Sequence, residues 1–280
     1  MSELNPDVVR DLDSRMARES RFGGIARLYG SAESDWIAGL NVCVVGVGGV
    51  GSWAVEALAR TGVGAITMID GDTLEAGNVN RQIHALSRDL GRPKVTVMAE
   101  RVAEIHPACQ CTPIDDLLTE HNLEARLGRG YDGVIDAIDH IRVKAGMIAY
   151  CKRHQLSLVT TGGAGGRRDP TAIRVADLSR TTHDPLASGV RKCLRDRHGF
   201  PRDPKRRFQV TCVYSLEQPR YPRPDGKVSA GKPGLSGISL DCRLGYGSAT
   251  FVTASFGFAA VAALLEKLLA RRPGDGVNVG

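Results

Sequence analysis

The stretch at residues 42–51, VCVVGVGGVG, constrains the fold of this 280-residue chain more than any other. Val42, Cys43, Val44 and Val45 are consecutive apolar residues, three of them β-branched, as expected of a strand covered on both faces in a parallel sheet. They run straight into Gly46-Val47-Gly48-Gly49-Val50-Gly51. Gly46, Gly48 and Gly51 fit the nucleotide-binding glycine pattern. In that pattern glycine permits a tight turn, lets backbone approach a phosphate, and lets the next helix pack closely on the strand. Val50, Ala54, Ala57 and Leu58 then give the following segment one apolar helical stripe. The free N–H groups and positive dipole end of such a helix favour a phosphate. The turn predicts a site for a phosphorylated ligand, either a dinucleotide or ATP.

The strand–helix rhythm continues along the chain. Gly62 and Gly64 stop the first helix, and residues 65–69 (AITMI) predict a second strand. Asp70 ends that strand 19 positions after Gly51, where open α/β sheets carry an acid for ribose hydroxyls. A loop over 71–82 precedes a helix starting after Pro93, with Val95, Met98, Val102 and Ile105 at helical spacing. Strands are expected at 110–113, at 133–138 leading to Asp139, and at 156–160, with a helix over 142–154. This alternation predicts an α/β, Rossmann-like fold with a doubly wound, mostly parallel sheet. Residues 1–40 read as an N-terminal helical arm, frayed over the first 20 residues, with a short helix to about Leu40. Residues 41–175 read as the nucleotide-binding core. Residues 176–280 read as an irregular C-terminal part packed on the same domain, reached through the glycine-rich elbow at 162–166.

Composition limits the classes available. Hydrophobic content of 42% and charged content of 24% are ordinary for a soluble globular chain, and a net charge of +6 permits a polyanionic partner. Residues 188–207 hold eight Lys or Arg (191, 192, 195, 197, 202, 205, 206, 207) against Asp196 and Asp203. That run reads either as a solvated loop or as a contact for an RNA backbone. Seven scattered cysteines without a paired CxxC indicate neither a zinc site nor a disulfide framework, so a reducing cytoplasm is expected. The charged start is no secretory signal. Residues 249–265 are uncharged, but they are rich in Ala, Ser, Thr and Gly and run into Glu266-Lys267. They predict a helix buried in the protein, with no stable membrane insertion.

Four groups carry chemistry: Asp70-Gly-Asp72, Asn78-Val-Asn80-Arg81-Gln82, Arg92-Pro93-Lys94 and Asp136-Ala-Ile-Asp139. Each falls at or just beyond the C-terminal end of an expected strand, where such sheets bind ligands. Arg81 and Lys94 are expected to converge on the phosphates. A hydride-transferring enzyme has little use for them there, whereas expulsion of pyrophosphate needs fixed positive charge. Asp139 is placed to hold Mg²⁺, an oxygen-seeking ion that bridges phosphate oxygens.

Together these residues resemble the ubiquitin-activating, ThiF/MoeB superfamily: GxGGxG, DxD, NxNRQ, a GxPK helix start, and an Asp after the fourth strand, over about residues 21–165. The resemblance implies an enzyme that adenylates a carboxylate with ATP and Mg²⁺, with residues 41–175 as the adenylation core and 176–280 as a substrate and dimer region. It implies nucleotide binding by Gly46, Gly48, Gly49, Gly51, Asp70, Asp72, Asn78, Arg81 and Lys94. It further implies catalysis by Arg81, Lys94 and Asp139, metal binding by Asp139, and a homodimer. Relatives that activate sulfur-carrier proteins have paired CxxC zinc motifs, absent here, so no zinc is expected. They also carry an arginine finger in a pattern like RYxRQ. Here the run is Arg21-Phe-Gly-Gly, the finger position falls on glycine, and Arg21 and Arg27 are the candidates.

Runs outside the shared core narrow the match. RFGGIARLYG (21–30), NRQIHAL (80–86), LVTTGGAGG (158–166), VTASFGF (252–258) and the neighbourhoods of Cys212 and Asp241-Cys242 are similar to a tRNA-modifying branch of the superfamily. That resemblance implies ATP-dependent activation of the threonyl carboxylate of a modified adenosine in tRNA, followed by cyclisation with loss of water. It implies tRNA as substrate, and leaves room for a sulfur-transfer protein partner and for a monovalent cation at 162–166. Ring closure needs no thiol, so Cys212 and Cys242 read as apolar fillers rather than nucleophiles. The competing readings are an adenylating activator of a small sulfur-carrier or ubiquitin-like protein, a nicotinamide-dependent oxidoreductase, and a non-catalytic nucleotide sensor.

Overall fold

A seven-stranded sheet carries the molecule in the computed structural model, which describes residues 6–223, 225–230 and 247–272. Its strands are β1 (Asn41–Val45), β2 (Ala65–Ile69), β3 (Gln110–Ile114), β4 (Gly133–Asp136), β5 (Ser157–Thr161), β6 (Ile173–Asp177) and β7 (Thr211–Ser215), in the order β3-β2-β1-β4-β5-β7-β6. All neighbours are parallel except β6, which runs antiparallel to β7 at one edge. The order reverses between β1 and β4, the switch point at which such sheets open a ligand crevice. The fold is Rossmann-like and doubly wound.

Strand alternation builds two cores. Val42, Val44, Ile66, Met68, Ile135, Val159 and Val213 face one side, under α3 (Gly51–Thr61), α4 (Lys94–Ile105) and α8 (Thr250–Leu269). Cys43, Val45, Ile69, Val134, Leu158 and Cys212 face the other, under α6 (Ile141–Arg153) and α7 (Pro185–Arg197). α3 stops where its sequence says it should: Gly62 is left-handed at φ 81°, and the Val63 N–H reaches back to the Leu58 carbonyl at 3.2 Å.

The long apolar segment is a core helix. Val252, Phe256, Ala260, Leu264 and Leu268 of α8 are buried against the sheet and α3. Gly257 allows the close approach, since a Cβ there would lie 2.7 Å from the Val50 carbonyl oxygen. α8 starts beside the 78–82 loop, where the Thr250 hydroxyl donates to the Asn80 carbonyl at 2.6 Å. At its other end Arg271 donates to the Ser157 hydroxyl at 2.7 Å.

The N-terminal arm differs from expectation. α1 (Pro6–Tyr29) is a continuous helix that runs through Gly23-Gly24, and α2 (Ser31–Gly39) follows it after a break at Gly30, φ 102°. Tertiary contacts override the local glycine penalty. Phe22 is buried against Gly62 and edge-on to the His106 ring at 4.7 Å. Arg18 donates to the Ser34 carbonyl at 2.6 Å and to Asp35 at 2.7 Å. In the C-terminal part, β8 (Tyr221–Pro222) and β9 (Val228–Ser229) form a short hairpin. The expected 175/176 boundary falls within β6, and Asp241 and Cys242 lie outside the described residues.

Candidate active site

Two glycines of the turn after β1 are sterically compelled. A Cβ on Gly51 would lie 1.7 Å from the Gly46 carbonyl oxygen. Gly46 itself is at φ 85°, with Ala137 backbone 3.0 Å from where a Cβ would stand. Gly48 has nothing nearer to that position than the Gln82 amide at 4.0 Å, so its backbone is open to a ligand. Arg81 lies across Gly49, its Cγ and Cδ 3.1 and 3.2 Å from the Cβ position. Below the turn, in the first helical turn of α3, the buried Ser52 hydroxyl has no hydrogen-bond partner among the described residues. Open backbone, a helix start and a cation over it make a cradle that fits polyphosphate.

The expected acids and cations gather here. Asp70 accepts the Val47 N–H at 2.6 Å through one oxygen and the Asp72 N–H at 3.0 Å through the other, so it ties β2 to the turn. Burial pushes its carboxyl up, opposed by the Lys94 ammonium and these two N–H donors. Lys94, buried at the start of α4, donates to Asp72 at 2.6 Å and stands 3.9 Å from Asp70. Asn78 is buried and its side-chain oxygen accepts the Glu75 N–H at 3.0 Å, closing its own turn. Arg81 is held by the Gly77 carbonyl at 2.7 Å and the Asn80 side chain at 3.2 Å, while its own carbonyl accepts the Trp53 indole N–H at 2.9 Å.

Asp139 stands three residues past the end of β4, in the turn, and not at the strand terminus. The strand ends at Asp136, level with Val45, the last residue of β1, and the Asp136 side chain faces the interior. Asp136 is fully buried, accepts the Thr160 hydroxyl at 2.6 Å, and pairs with the buried Lys144 ammonium at 2.9 Å. Removing one partner of such a pair leaves an uncompensated buried charge, a cost of about 3–5 kcal/mol. Asp139 is exposed at the crevice mouth and bonds to none of the described residues. One free carboxylate beside a phosphate cradle suits Mg²⁺, which takes one or two carboxylates plus phosphate oxygens. Among the described residues no cluster of three or more His, Cys, Asp or Glu gathers for a metal held by protein alone.

Other candidates lie elsewhere. Arg21 donates to the Ile105 carbonyl at 3.1 Å, at the far end of α4 from Lys94, ~17 Å along the helix. Arg27 is exposed, 4.0 Å from Glu19. Neither bonds to a residue of the glycine turn or the 78–82 loop among the described residues. Cys212 is fully buried beside Thr160, and burial together with Asp184 pushes its thiol up, away from thiolate. The 162–166 elbow, the place left for a monovalent cation, is gripped by Asp184. That carboxylate accepts the Gly163 N–H at 3.0 Å, caps α7 at Ala187 and pairs with buried Arg167 at 3.4 Å. Half of the basic run is helical in α7, and its remainder loops beyond the helix's far end, away from the glycine turn.

Trp53, Lys144 and His84 escaped the sequence reading. His84 is buried beside Arg81's loop, with no partner for either ring nitrogen among the described residues. Its pKa is lowered to about 4, first by burial and then by Lys94 and Arg101. The unfolded chain takes up a proton below pH 6.5 that the folded chain refuses until about pH 4, so stability is lost as pH falls through that window. Between neutral pH and about pH 5 the loss from this group is expected to be about 2 kcal/mol. His84→Leu should flatten this acid limb in urea unfolding; an unchanged slope would contradict it.

A glycine turn on a central strand, an acid after β2 and a cation across the turn define a nucleotide-binding enzyme of the ThiF kind. The chain belongs to the ThiF family, whose model matches residues 24–275. Within it the chain groups with the tRNA threonylcarbamoyladenosine dehydratases. It is 50% identical to that of Escherichia coli over 93% of this chain and 97% of the relative, and 45% identical to that of Haemophilus influenzae over 91% and 95%. The crystal structure of the E. coli dehydratase in complex with ATP superposes with a TM-score of 0.82 at 47% identity, covering 92% of this chain and 98% of that one. The E. coli sulfur carrier protein ThiS adenylyltransferase is 32% identical over 45% of this chain and 49% of its own length.

Proposed function

We propose that this chain uses ATP to activate the threonyl carboxylate of threonylcarbamoyladenosine in tRNA and so drives its cyclisation with loss of water. The observation that carries the reading is Arg81 lying across Gly49, next to the open backbone of Gly48, in a chain that aligns almost end to end with dehydratases of that name. A free carboxylate is a poor electrophile, because attack on it must expel oxide. Transfer of the adenylyl group from ATP gives a mixed anhydride and releases pyrophosphate. The carbamoyl group of the same nucleoside then attacks the activated carbonyl; AMP leaves with the bonding electrons and a proton passes to water. Because both groups sit on one nucleoside, closure gains the advantage of proximity.

Gly46, Gly48, Gly49 and Gly51 form the phosphate turn, and Arg81 and Lys94 supply fixed positive charge for the departing pyrophosphate. Asp70 keeps a second lone pair on each oxygen for ribose hydroxyls while it holds the turn. Asp72 sets the Lys94 ammonium, and Asn78 shapes the loop that presents Arg81. Asp139 would hold Mg²⁺, which would supply further positive charge against the phosphates.

Because Arg21 is tied to the far end of α4 and Arg27 bonds to no crevice residue, a finger from the arm would come from a second copy, which supports a homodimer. Phe251 and Phe258 of α8, 56% and 45% exposed and on one helical face, offer an apolar patch beside the 78–82 loop for that contact. Phe251→Glu with Phe258→Glu should halve the mass seen by light scattering; an unchanged dimer would remove this patch from the interface.

Lys192, Lys205, Arg206 and Arg207 have side chains without a hydrogen bond or ion pair to any described residue, and all four are exposed. Lys192 is on α7 and the other three follow beyond its C-terminal end, while exposed Arg142 stands in the first turn of α6; these unpaired cations support a contact for the tRNA backbone. Arg206→Glu with Arg207→Glu should weaken tRNA binding at low salt and lower its salt slope by about 1 to 2, leaving ATP binding intact. An unaltered slope would take these residues off the tRNA path. A tRNA substrate also makes the cytoplasm the expected compartment.

Pyrophosphate release that requires tRNA bearing threonylcarbamoyladenosine tests the reading. Release that instead requires a small protein ending in Gly-Gly would favour the sulfur-carrier activator. That alternative is not favoured, since the likeness to carrier adenylyltransferases covers under half of the chain. An associated sulfur-transfer protein would appear as a co-purifying partner.

A further inference from the structure

The turn that delivers Asp139 is fastened from below. Lys144, on the second turn of α6, is 1% exposed, and its ammonium donates to three acceptors: the Asp136 carboxylate at 2.9 Å, the Asp136 carbonyl at 3.3 Å and the Ile138 carbonyl at 2.9 Å. Two of these three are backbone oxygens of the residues that lead into Asp139. On the other side, His140 caps α6, its ring nitrogen accepting the Val143 N–H at 3.4 Å. Asp139 therefore stands between two anchored neighbours while its own side chain is free. The same turn forms the floor of the phosphate loop: Ile138 Cγ2 and the Ala137 carbonyl stand 2.9 and 3.0 Å from the Cβ position of Gly46. A buried lysine is costly wherever a hydrophobic residue would pack, and pairing Asp136 would need only one of its three donors.

We propose that Lys144 is a positioning residue for the reaction: its ammonium pins the carbonyls of Asp136 and Ile138 so that Asp139 faces the nucleotide phosphates, with Asp136 retained to neutralise it. This rests on the adenylation reading above. The role is in geometry, so the prediction is a loss in kcat at little cost in ATP KM, since a misplacement of about 1 Å can lower a rate on the order of 100-fold.

The test is the double variant D136N/K144M, which buries no charge and so removes the electrostatic reason for instability while cutting both carbonyl tethers. D136N/K144Q is the companion variant, with a polar partner for the amide but a side chain one atom shorter than lysine. At least one of the two is expected to melt near the wild type. In that variant kcat with modified tRNA should fall on the order of 10- to 100-fold, ATP KM should change by less than about threefold, and amide exchange over 137–140 should quicken about tenfold. Wild-type kcat and wild-type exchange in a variant of normal melting would overturn the proposal. The exchange readout needs no substrate, so it decides the anchoring of the turn even if the wild-type enzyme leaves modified tRNA unchanged, a result that would count against the function instead.

Discussion

Arg81→Ala is expected to lower ATP-dependent turnover by about three orders of magnitude while leaving the melting temperature within a few degrees of wild type. The side chain is half-exposed and contributes little to the core, but its guanidinium is fixed before any ligand arrives. Gly77 and Asn80 hold it on one side, and its stem lies over Gly49 on the other. Its backbone is held as well, by the Trp53 indole and the hydroxyl of Thr253 at the start of α8. A cation held in place stabilises developing phosphate charge without reorganising during the reaction, and loss of one such group costs on the order of 10³-fold in related chemistry. Steady-state pyrophosphate release measures this. Near-normal turnover in a folded Arg81→Ala variant would exclude Arg81 from the clamp.

The second large effect is on the fold of the site itself. Gly51→Ala places a methyl 1.7 Å from the Gly46 carbonyl oxygen, a contact that neither backbone segment can relieve without opening the turn. The expected loss is about 3 kcal/mol in denaturant unfolding, at the upper end for overpacking, together with loss of measurable ATP binding. Gly48→Ala is the control, because its methyl would meet no protein atom nearer than the Gln82 amide at 4.0 Å. It should unfold like the wild type yet bind ATP more weakly, since the methyl points into the space left for phosphate. A stable Gly51→Ala chain that still binds ATP would mean the turn is not the rigid cradle described.

Much of this architecture is legible in the residues. Four apolar residues feeding GVGGVG dictate a buried strand, a turn and a helix, and Asp70, Arg81 and Lys94 sit where strand ends put them. What was hidden depends on contacts that no local pattern carries. The first 20 residues read as a frayed arm, charged throughout and without an apolar core, whereas Arg18 and, just beyond them, Phe22 find tertiary partners. Lys144 lies on α6, where a lysine ordinarily reads as solvent-facing; packing of α6 against the sheet and α7 buries residues 143–151 together and sets Lys144 on Asp136. β4 ends level with the last residue of β1, which leaves Asp139 in a loop. The placement of Arg21 follows from where α1 crosses α3 and α4, which sequence spacing does not encode.

The most direct measurement is mass spectrometry of nucleosides from tRNA carrying threonylcarbamoyladenosine, incubated with the purified chain and ATP and extracted gently enough to keep a labile ring. The account predicts conversion to a species lighter by one water, matched by AMP and pyrophosphate and absent without ATP. Unchanged nucleoside beside tight binding of a nicotinamide dinucleotide in the glycine turn would contradict it.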